Sequence, residues 1–581
     1  VSGTVSGAHD PDDESTRAAL LDAATRWLDQ DPDDETRAEL DALLRAARDD
    51  DDWAPLADRF GSRLAFGTAG LRGELGAGPT RMNRVLVTQA AAGLGRFLID
   101  SGRVRSVVIG YDGRVNSDVF ARDSAEVLAG LGIEVTLLSE ALPTPVLAFA
   151  VRHLDVGAGV MVTASHNPPR DNGYKVYLGQ GDHGSQIVPP VDAEIAQAID
   201  AVAAGDIRDL ARSDAYAIQG TEVVDAYVAA TAGLVDAPAL PPQEQPRVVY
   251  TAMHGVGWAT ARQVLAAAGF AEPDVVPEQI EPDGAFPTVA FPNPEEPGAM
   301  DLALARGVEL DADLVVANDP DADRLALAIP VPADDGSRSF RRLSGNEVGW
   351  LLGWRAAEQA AQGRAGRATG DAVDEGTRPT LAASIVSSPA LRHVAERYGL
   401  DYRDTLTGFK WVSRVPGLVF GYEEALGYLV DPQVIRDKDG ISAAVVLLGL
   451  ATELAARGRT IADRLQEFAD TFGAAGSGQV SVRVDDLDRI GQVMSALRET
   501  PPTDLDGIRV LEVTDFRDGV EGLPPSDILR WDLDGGARVI VRPSGTEPKV
   551  KVYIDTVSSE GPDAAAVLVQ RIADAVRPLV S

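Results

Sequence analysis

The run Thr163-Ala164-Ser165-His166-Asn167-Pro168 sets a hydroxyl nucleophile, an imidazole and a turn in succession, directly after the apolar stretch Val160-Met161-Val162. A serine hydroxyl is a weak nucleophile without a base or charged surroundings, and a phosphorylated serine carries about -1.5 to -2 charges. Ser165 therefore calls for cations. Far along the chain, Asp319-Pro320-Asp321-Ala322-Asp323-Arg324 places three carboxylates one residue apart. They can converge on one hard cation while the proline and alanine shape the loop. Mg²⁺ suits this set, because it prefers oxygen ligands and can bridge protein carboxylates to a phosphoryl oxygen. Taken alone the triplet also fits an unliganded acidic turn. A calcium loop is disfavoured because the later glutamate of an EF-hand is missing. Arg324, directly after the triplet, suits a phosphate-bearing substrate.

Two further segments complete the inventory. Arg542-Pro543-Ser544-Gly545-Thr546-Glu547-Pro548-Lys549 gathers a guanidinium, two hydroxyls, an ammonium and freely oriented backbone donors around Gly545. Arg542, Ser544, Gly545, Thr546 and Lys549 together offer what a phosphate cradle needs. In Gly421-Tyr422-Glu423-Glu424-Ala425-Leu426-Gly427-Tyr428, the carboxylates of Glu423 and Glu424 can accept hydrogen bonds from vicinal hydroxyls, such as those of a sugar. Lys175 and His166 are candidate proton carriers. Each segment has a plainer reading, as a tight turn, solvated glutamates, an exposed lysine or a structural histidine. Together they point to metal-dependent phosphoryl transfer on a polar phosphorylated substrate, without naming the reaction.

These residues must be held by α/β units. From about residue 60, short β-branched runs alternate with Ala- and Leu-rich stretches, the pattern of parallel strands joined by helices. Strands are expected at Val107-Val108-Ile109, Val160-Met161-Val162, Val248-Val249-Tyr250, Leu314-Val315-Val316, Ser384-Ile385-Val386 and Leu418-Val419-Phe420. Ser165, Asp319 and Glu423 each follow one of them, where open α/β sheets gather ligands. The last hundred residues alternate differently, around Val480 to Val484, Val539 to Val541 and Val550 to Tyr553, and suggest a small α+β domain. Before residue 60, the stripes Leu20, Leu21, Ala24, Trp27, Leu28 and Leu40, Leu43, Leu44, Ala47 predict two amphipathic helices packed on the body of the protein. The first 14 or so residues read as a disordered tail, and Gly363 to Pro379 as a flexible insertion.

Composition narrows the setting. A chain of 581 residues suggests about three to five domains. With 53 basic against 89 acidic residues the formal charge is -36, which repels phosphate backbones and disfavours nucleic-acid binding. Zero cysteines exclude disulfides and thiol chemistry. No apolar run reaches the roughly 20 residues that a bilayer requires, and the N-terminus lacks an export pattern. A cytoplasmic protein without membrane contact is expected.

The same four segments, in this order, resemble the α-D-phosphohexomutase superfamily of phosphoglucomutases and phosphomannomutases. Thr163 to Pro168 is similar to its phosphoserine loop, Asp319 to Arg324 to its metal loop, Gly421 to Gly427 to its sugar loop and Arg542 to Lys549 to its phosphate loop. Phe66-Gly67-Thr68-Ala69-Gly70-Leu71-Arg72-Gly73 and Thr407-Gly408-Phe409-Lys410-Trp411 resemble the branch holding phosphoglucomutase-2 and phosphopentomutase. The resemblance implies three related α/β domains and a smaller α+β C-terminal domain around a central cleft. Their expected spans are 59–215, 216–342, 343–470 and 471–581, after a helical extension at 1–58.

It also implies a reaction. Phosphorylated Ser165 would phosphorylate a hexose 1-phosphate or 6-phosphate of glucose or mannose, and the bisphosphate would turn and return its other phosphate. Arg72, His166 and Lys175 would surround the reacting group, with Ser165, Asp319, Asp321 and Asp323 holding Mg²⁺. Arg324, Thr407, Gly408, Glu423, Glu424 and Lys438 would meet the sugar, and the Arg542 segment the other phosphate. Hexose 1,6-bisphosphate would serve as activator, phosphosugars as the ligands, and the protein would be a monomer or weak homodimer. Tyr422 and Ala425 depart from better-known sugar loops and leave the hexose open. The alternatives are a phosphopentomutase, a sugar 1,6-bisphosphate synthase, a phosphatase using Asp319 as nucleophile, and a non-catalytic phosphosugar-binding protein.

Overall fold

The computed structural model describes residues 14–236, 240–333, 336–363, 378–483, 487–520, 522–543 and 549–580. The expected N-terminal tail and most of the expected insertion at Gly363 to Pro379 lie outside them. The chain forms two compact units: Val1–Leu234, Arg247–Leu325 and Val434–Ile441 in the first, and Val235–Pro246, Ala326–Gln433 and Ser442–Ser581 in the second.

The first unit holds β1 (Leu71–Glu74), β2 (Ser106–Tyr111), β3 (Glu134–Leu138), β4 (Ala158–Val162), β5 (Asp171–Leu178), β6 (Ser185–Gln186) and β7 (Ala217–Gln219). They make one sheet in the order β1-β5-β4-β2-β3-β7, with β6 on β5. Strands β4, β2, β3 and β7 run parallel, while β5 opposes both β4 and β1. Every residue of β4 is buried, as is expected where helices cover both faces of a sheet. The helix Arg84–Asp100 buries most of its length, and Leu86, Leu94, Phe120, Ile109 and Val160 share one core. A second group in this unit, β8 (Val248–Thr251), β9 (Asp274–Val275) and β10 (Leu314–Asn318), is parallel with β8 central.

The two expected N-terminal helices span Glu14–Gln30 and Asp34–Asp49, and a third, Ala54–Phe60, follows. The Asp33 side chain caps the second by accepting from the amides of Glu35 and Thr36, a contact worth about 1 kcal/mol. Leu20, Ala24, Trp27, Leu40 and Leu44 pack on Ala77, Val85 and Ile207, so the apolar stripes cover the body of the unit as expected.

The second unit contains, from Ala326 on, the antiparallel hairpin β11 (Leu325–Pro332) and β12 (Arg338–Arg342). It also holds the sheet β14-β13-β15-β16, made of β13 (Thr380–Ser384), β14 (Asp401–Thr405), β15 (Leu418–Glu423) and β16 (Gly427–Leu429). The expected strand at Ser384 to Val386 therefore lies earlier, at Thr380–Ser384. The amide of Ser387 turns back to the Ser384 carbonyl at 2.8 Å, and Ile385 and Val386 join a cluster with Phe516, Ile528, Ile540 and Tyr553. The rest is β17 (Ala474–Arg483), β18 (Asp504–Leu505), β19 (Ile508–Asp515), β20 (Leu529–Leu533), β21 (Arg538–Pro543) and β22 (Lys549–Ser558), in the order β17-β22-β21-β20-β19-β18. All its pairings are antiparallel, as expected of the α+β C-terminal part.

Candidate active site

In the first unit the serine loop leaves β4 and returns as β5. Gly173 lies where the turns close: a Cβ there would sit 2.5 Å from the Thr163 carbonyl oxygen and 2.8 Å from that of Leu71. Ser165 itself adopts φ +52°, a left-handed conformation uncommon for serine. Its Oγ lies 3.1 Å from His166 Nδ1 and donates to Asp319 Oδ2 at 2.9 Å. Burial, together with the positive charges of Arg324 and Arg72, pushes the His166 imidazole well below its ordinary pKa, so it is neutral near pH 7. Arg72, on β1 opposite Gly173, donates to Asn167 Oδ1 at 3.2 Å.

The acidic triplet follows β10, and all three of its carboxylates are buried. Each offers an oxygen within 4.8 Å of the others. Lys175, on β5, reaches Asp321 Oδ2 at 2.8 Å and Asp323 Oδ2 at 3.0 Å, and Lys438 reaches Asp323 Oδ2 at 3.0 Å. Burial disfavours the Lys175 ammonium, but Asp321 and Asp323 outweigh it and hold the lysine charged. Burial and two neighbouring carboxylates raise Asp319 far above the usual carboxylate range. Asp321 Oδ1 and Asp323 Oδ1 are buried without a hydrogen-bond partner. Hard oxygen donors crowded together, two of them without a hydrogen bond, fit a divalent cation, which would relieve the repulsion that Asp319 registers.

The loop is braced from several sides. Thr144 donates its Oγ1 to Asp321 Oδ2 at 2.7 Å and its amide to the Asp321 carbonyl at 2.9 Å. The Asn318 side chain donates to the Arg324 carbonyl at 2.6 Å and accepts from Tyr250 OH at 2.7 Å. Lys438 arrives on Val434–Ile441, the short stretch that belongs to this unit. Asp437 beside it accepts from Tyr177 OH and from Gln186 Nε2, both at 2.7 Å, and Asp439 accepts from Tyr227 OH at 3.0 Å. Thr144, Tyr177, Gln186, Tyr227 and Asp437 were not singled out from the sequence. The acids flanking Lys438 were the one visible signal.

In the second unit Glu423 ends β15, and its Oε1 accepts the Gly408 amide at 2.6 Å, with Gly408 at φ +114°. Glu424 turns the other way and accepts from Ser384 Oγ at 3.2 Å and Ser387 Oγ at 3.0 Å. Tyr422 is buried, donating to Asn346 Oδ1 at 3.0 Å. Arg542 donates to Thr407 Oγ1, joining two of the expected ligand-binding residues. Lys549 begins β22, while Ser544, Gly545 and Thr546 lie outside the described residues.

Comparison with known proteins bears on this arrangement. The phosphoglucomutase/phosphomannomutase family models match in order: the alpha/beta/alpha domains I, II and III at residues 63–205, 225–331 and 344–472, and the C-terminal domain at 480–577. The chain belongs to the phosphoglucomutase/phosphomannomutase family. A Haemophilus influenzae protein named "Probable phosphomannomutase" is 53% identical over 489 residues, covering 84% of this chain and 96% of its own length. The human protein named phosphopentomutase is 33% identical over 586 residues, covering 94% of this chain and 92% of its own length. A crystal structure of a phosphoglucomutase/phosphomannomutase family protein from Burkholderia thailandensis shares the fold, with a TM-score of 0.67 at 21% identity, covering 89% of this chain and 97% of its own. This family member is an isomerase of the intramolecular phosphotransferase class with four α/β and α+β domains, as its motifs implied.

Proposed function

We propose that this mutase interconverts hexose 1-phosphate and hexose 6-phosphate, of glucose or mannose, through phosphorylated Ser165 and a sugar 1,6-bisphosphate. The observation that carries the reading is the contact between Ser165 Oγ and Asp319 Oδ2 at 2.9 Å, beside two carboxylates with buried oxygens that accept no hydrogen bond. Asp319, Asp321, Asp323 and the Ser165 phosphoryl group would hold Mg²⁺. When bound, the ion supplies positive charge where the phosphoryl oxygens gather negative charge.

A sugar hydroxyl forms the new bond to phosphorus as the bond to Ser165 Oγ breaks. His166 and Lys175 carry the proton that leaves the hydroxyl and the one that returns to Oγ. Arg72 steadies the transferring group. Glu423 reads the sugar hydroxyls with Arg324, Thr407, Gly408 and Lys438, while Glu424 braces its loop through Ser384 and Ser387. Arg542, Ser544, Gly545, Thr546 and Lys549 hold the phosphate that is not in transfer. The bisphosphate carries a phosphate at each end, so it offers a phosphoryl group in either orientation. Free hexose 1,6-bisphosphate restores a dephosphorylated Ser165. The setting is cytoplasmic, with phosphosugars as the partners.

The test is a peptide map after incubation with labelled glucose 1,6-bisphosphate. Label on the Ser165 peptide, and none on Ser165→Ala, is the expected result. Label on the Asp319 peptide, or full turnover by Ser165→Ala, would refute the reading.

A further inference from the structure

We propose that Arg114 is a positioning residue for phosphoryl transfer, its guanidinium fixing the backbone of the Ser165 loop through three of that loop's carbonyl groups and that of Asp171, where β5 begins. The inference rests on the reading that Ser165 carries the phosphoryl group. Arg114 follows β2 in Asp112-Gly113-Arg114 and is 4% exposed. Its Nη2 donates to the carbonyls of Ser165 and Asn167, both at 2.6 Å, and its Nη1 to those of Pro168 at 2.9 Å and Asp171 at 3.0 Å. A guanidinium has five N–H donors in a rigid planar fork, and here both terminal nitrogens are committed to the backbone of the loop and its junction with β5.

The arginine is itself held. Asp112 Oδ1 accepts the Arg114 amide at 3.0 Å and Ser117 Oγ at 2.7 Å, and Asp112 Oδ2 lies 3.6 Å from Arg114 Nε. The ring of Phe286 sits 4.9 Å from the guanidinium carbon. On the loop side, the residue being positioned has φ +52°, and such a conformation persists only where its surroundings over-determine it. The Ser165 amide is fixed by Thr163 Oγ1 at 2.8 Å, and its carbonyl by Arg114. Arg114 thus sets the far side of the peptide from which Oγ projects. With its terminal nitrogens spent on carbonyls, it is not presented to a phosphate. Its role runs through the placement of Oγ against Asp319 and His166. Lysine keeps the charge facing Asp112 but is a point donor that cannot span four carbonyls.

Arg114→Ala and Arg114→Lys would be compared with the wild type for kcat and KM on glucose 1-phosphate, with and without millimolar guanidinium, and by the Ser165 peptide map. The expected result is a kcat lower by on the order of 100-fold at little changed KM, and partial restoration of the Ala variant by guanidinium, which fits the vacated space. If the Ala variant does not fold, the kcat against KM split of the Lys variant decides. Wild-type kcat in either variant would overturn the proposal, as would a fall in which KM rises in step with the loss. Label away from Ser165 in the wild type would instead overturn the functional reading on which it rests.

Discussion

Asp321 shows how a single residue is prepared for a cation. One oxygen is taken by Lys175 and Thr144, and the other is left open in the interior. On the proposed reading Thr144 thus supports a metal ligand, with no expected contact to the sugar. Thr144→Val keeps the shape and removes a hydrogen bond to a charged group, worth about 1.5–3 kcal/mol. Mg²⁺ affinity should fall by about 10–100-fold, with kcat recovering at saturating Mg²⁺. Calorimetric titration of Mg²⁺ into the variant measures this, and an unchanged affinity would show that Thr144 does not orient Asp321. The acids themselves were legible in the sequence because they lie one residue apart after an apolar run. Thr144 was not, because 177 positions separate it from its partner and a threonine near a proline has no distinctive spacing. Tyr177 was hidden in the same way, 260 positions from Asp437.

Among the elements, the decisive placement is that of Val434–Ile441, which brings Lys438 to the acidic triplet although its neighbours in sequence belong to the second unit. Gly440 permits it. A Cβ there would lie 2.2 Å from the Arg324 carbonyl oxygen and 2.6 Å from Asn318 Nδ2, so any larger residue pushes the segment off the acidic loop. Gly440→Ala should destabilise the protein by about 1–3 kcal/mol and lower turnover. Gly181→Ala, where an added Cβ meets nothing within 4 Å, should stay within about 0.5 kcal/mol of wild type. Thermal unfolding of both variants beside a turnover assay checks the pair, and equal effects would contradict the packing argument. Strands such as Ala158–Val162 and Leu314–Asn318 were legible because buried parallel strands are continuous apolar runs. The helix Ala54–Phe60 was not, because seven residues give too few turns for a period to stand out.

Across the whole molecule, a chain of formal charge -36 must bind an anionic substrate with local cations. On the proposed reading, Lys175, Lys438, Arg72 and Arg324 would supply them in the first unit, and Arg542 and Lys549 in the second. The order of the four motifs was enough to read the architecture. Packing was not, since the grouping of 434–441 with the first unit follows from tertiary contacts such as Tyr227 with Asp439. The relatives carry names for different sugars, so the central claim is best met by presenting several at once. ³¹P NMR would follow the protein with Mg²⁺, catalytic glucose 1,6-bisphosphate and, in parallel, the 1-phosphates of glucose, mannose and ribose. The account predicts loss of the hexose 1-phosphate signal and growth of the 6-phosphate signal, with total phosphate ester conserved. Inorganic phosphate as the sole product, or no change in any sample, would contradict it.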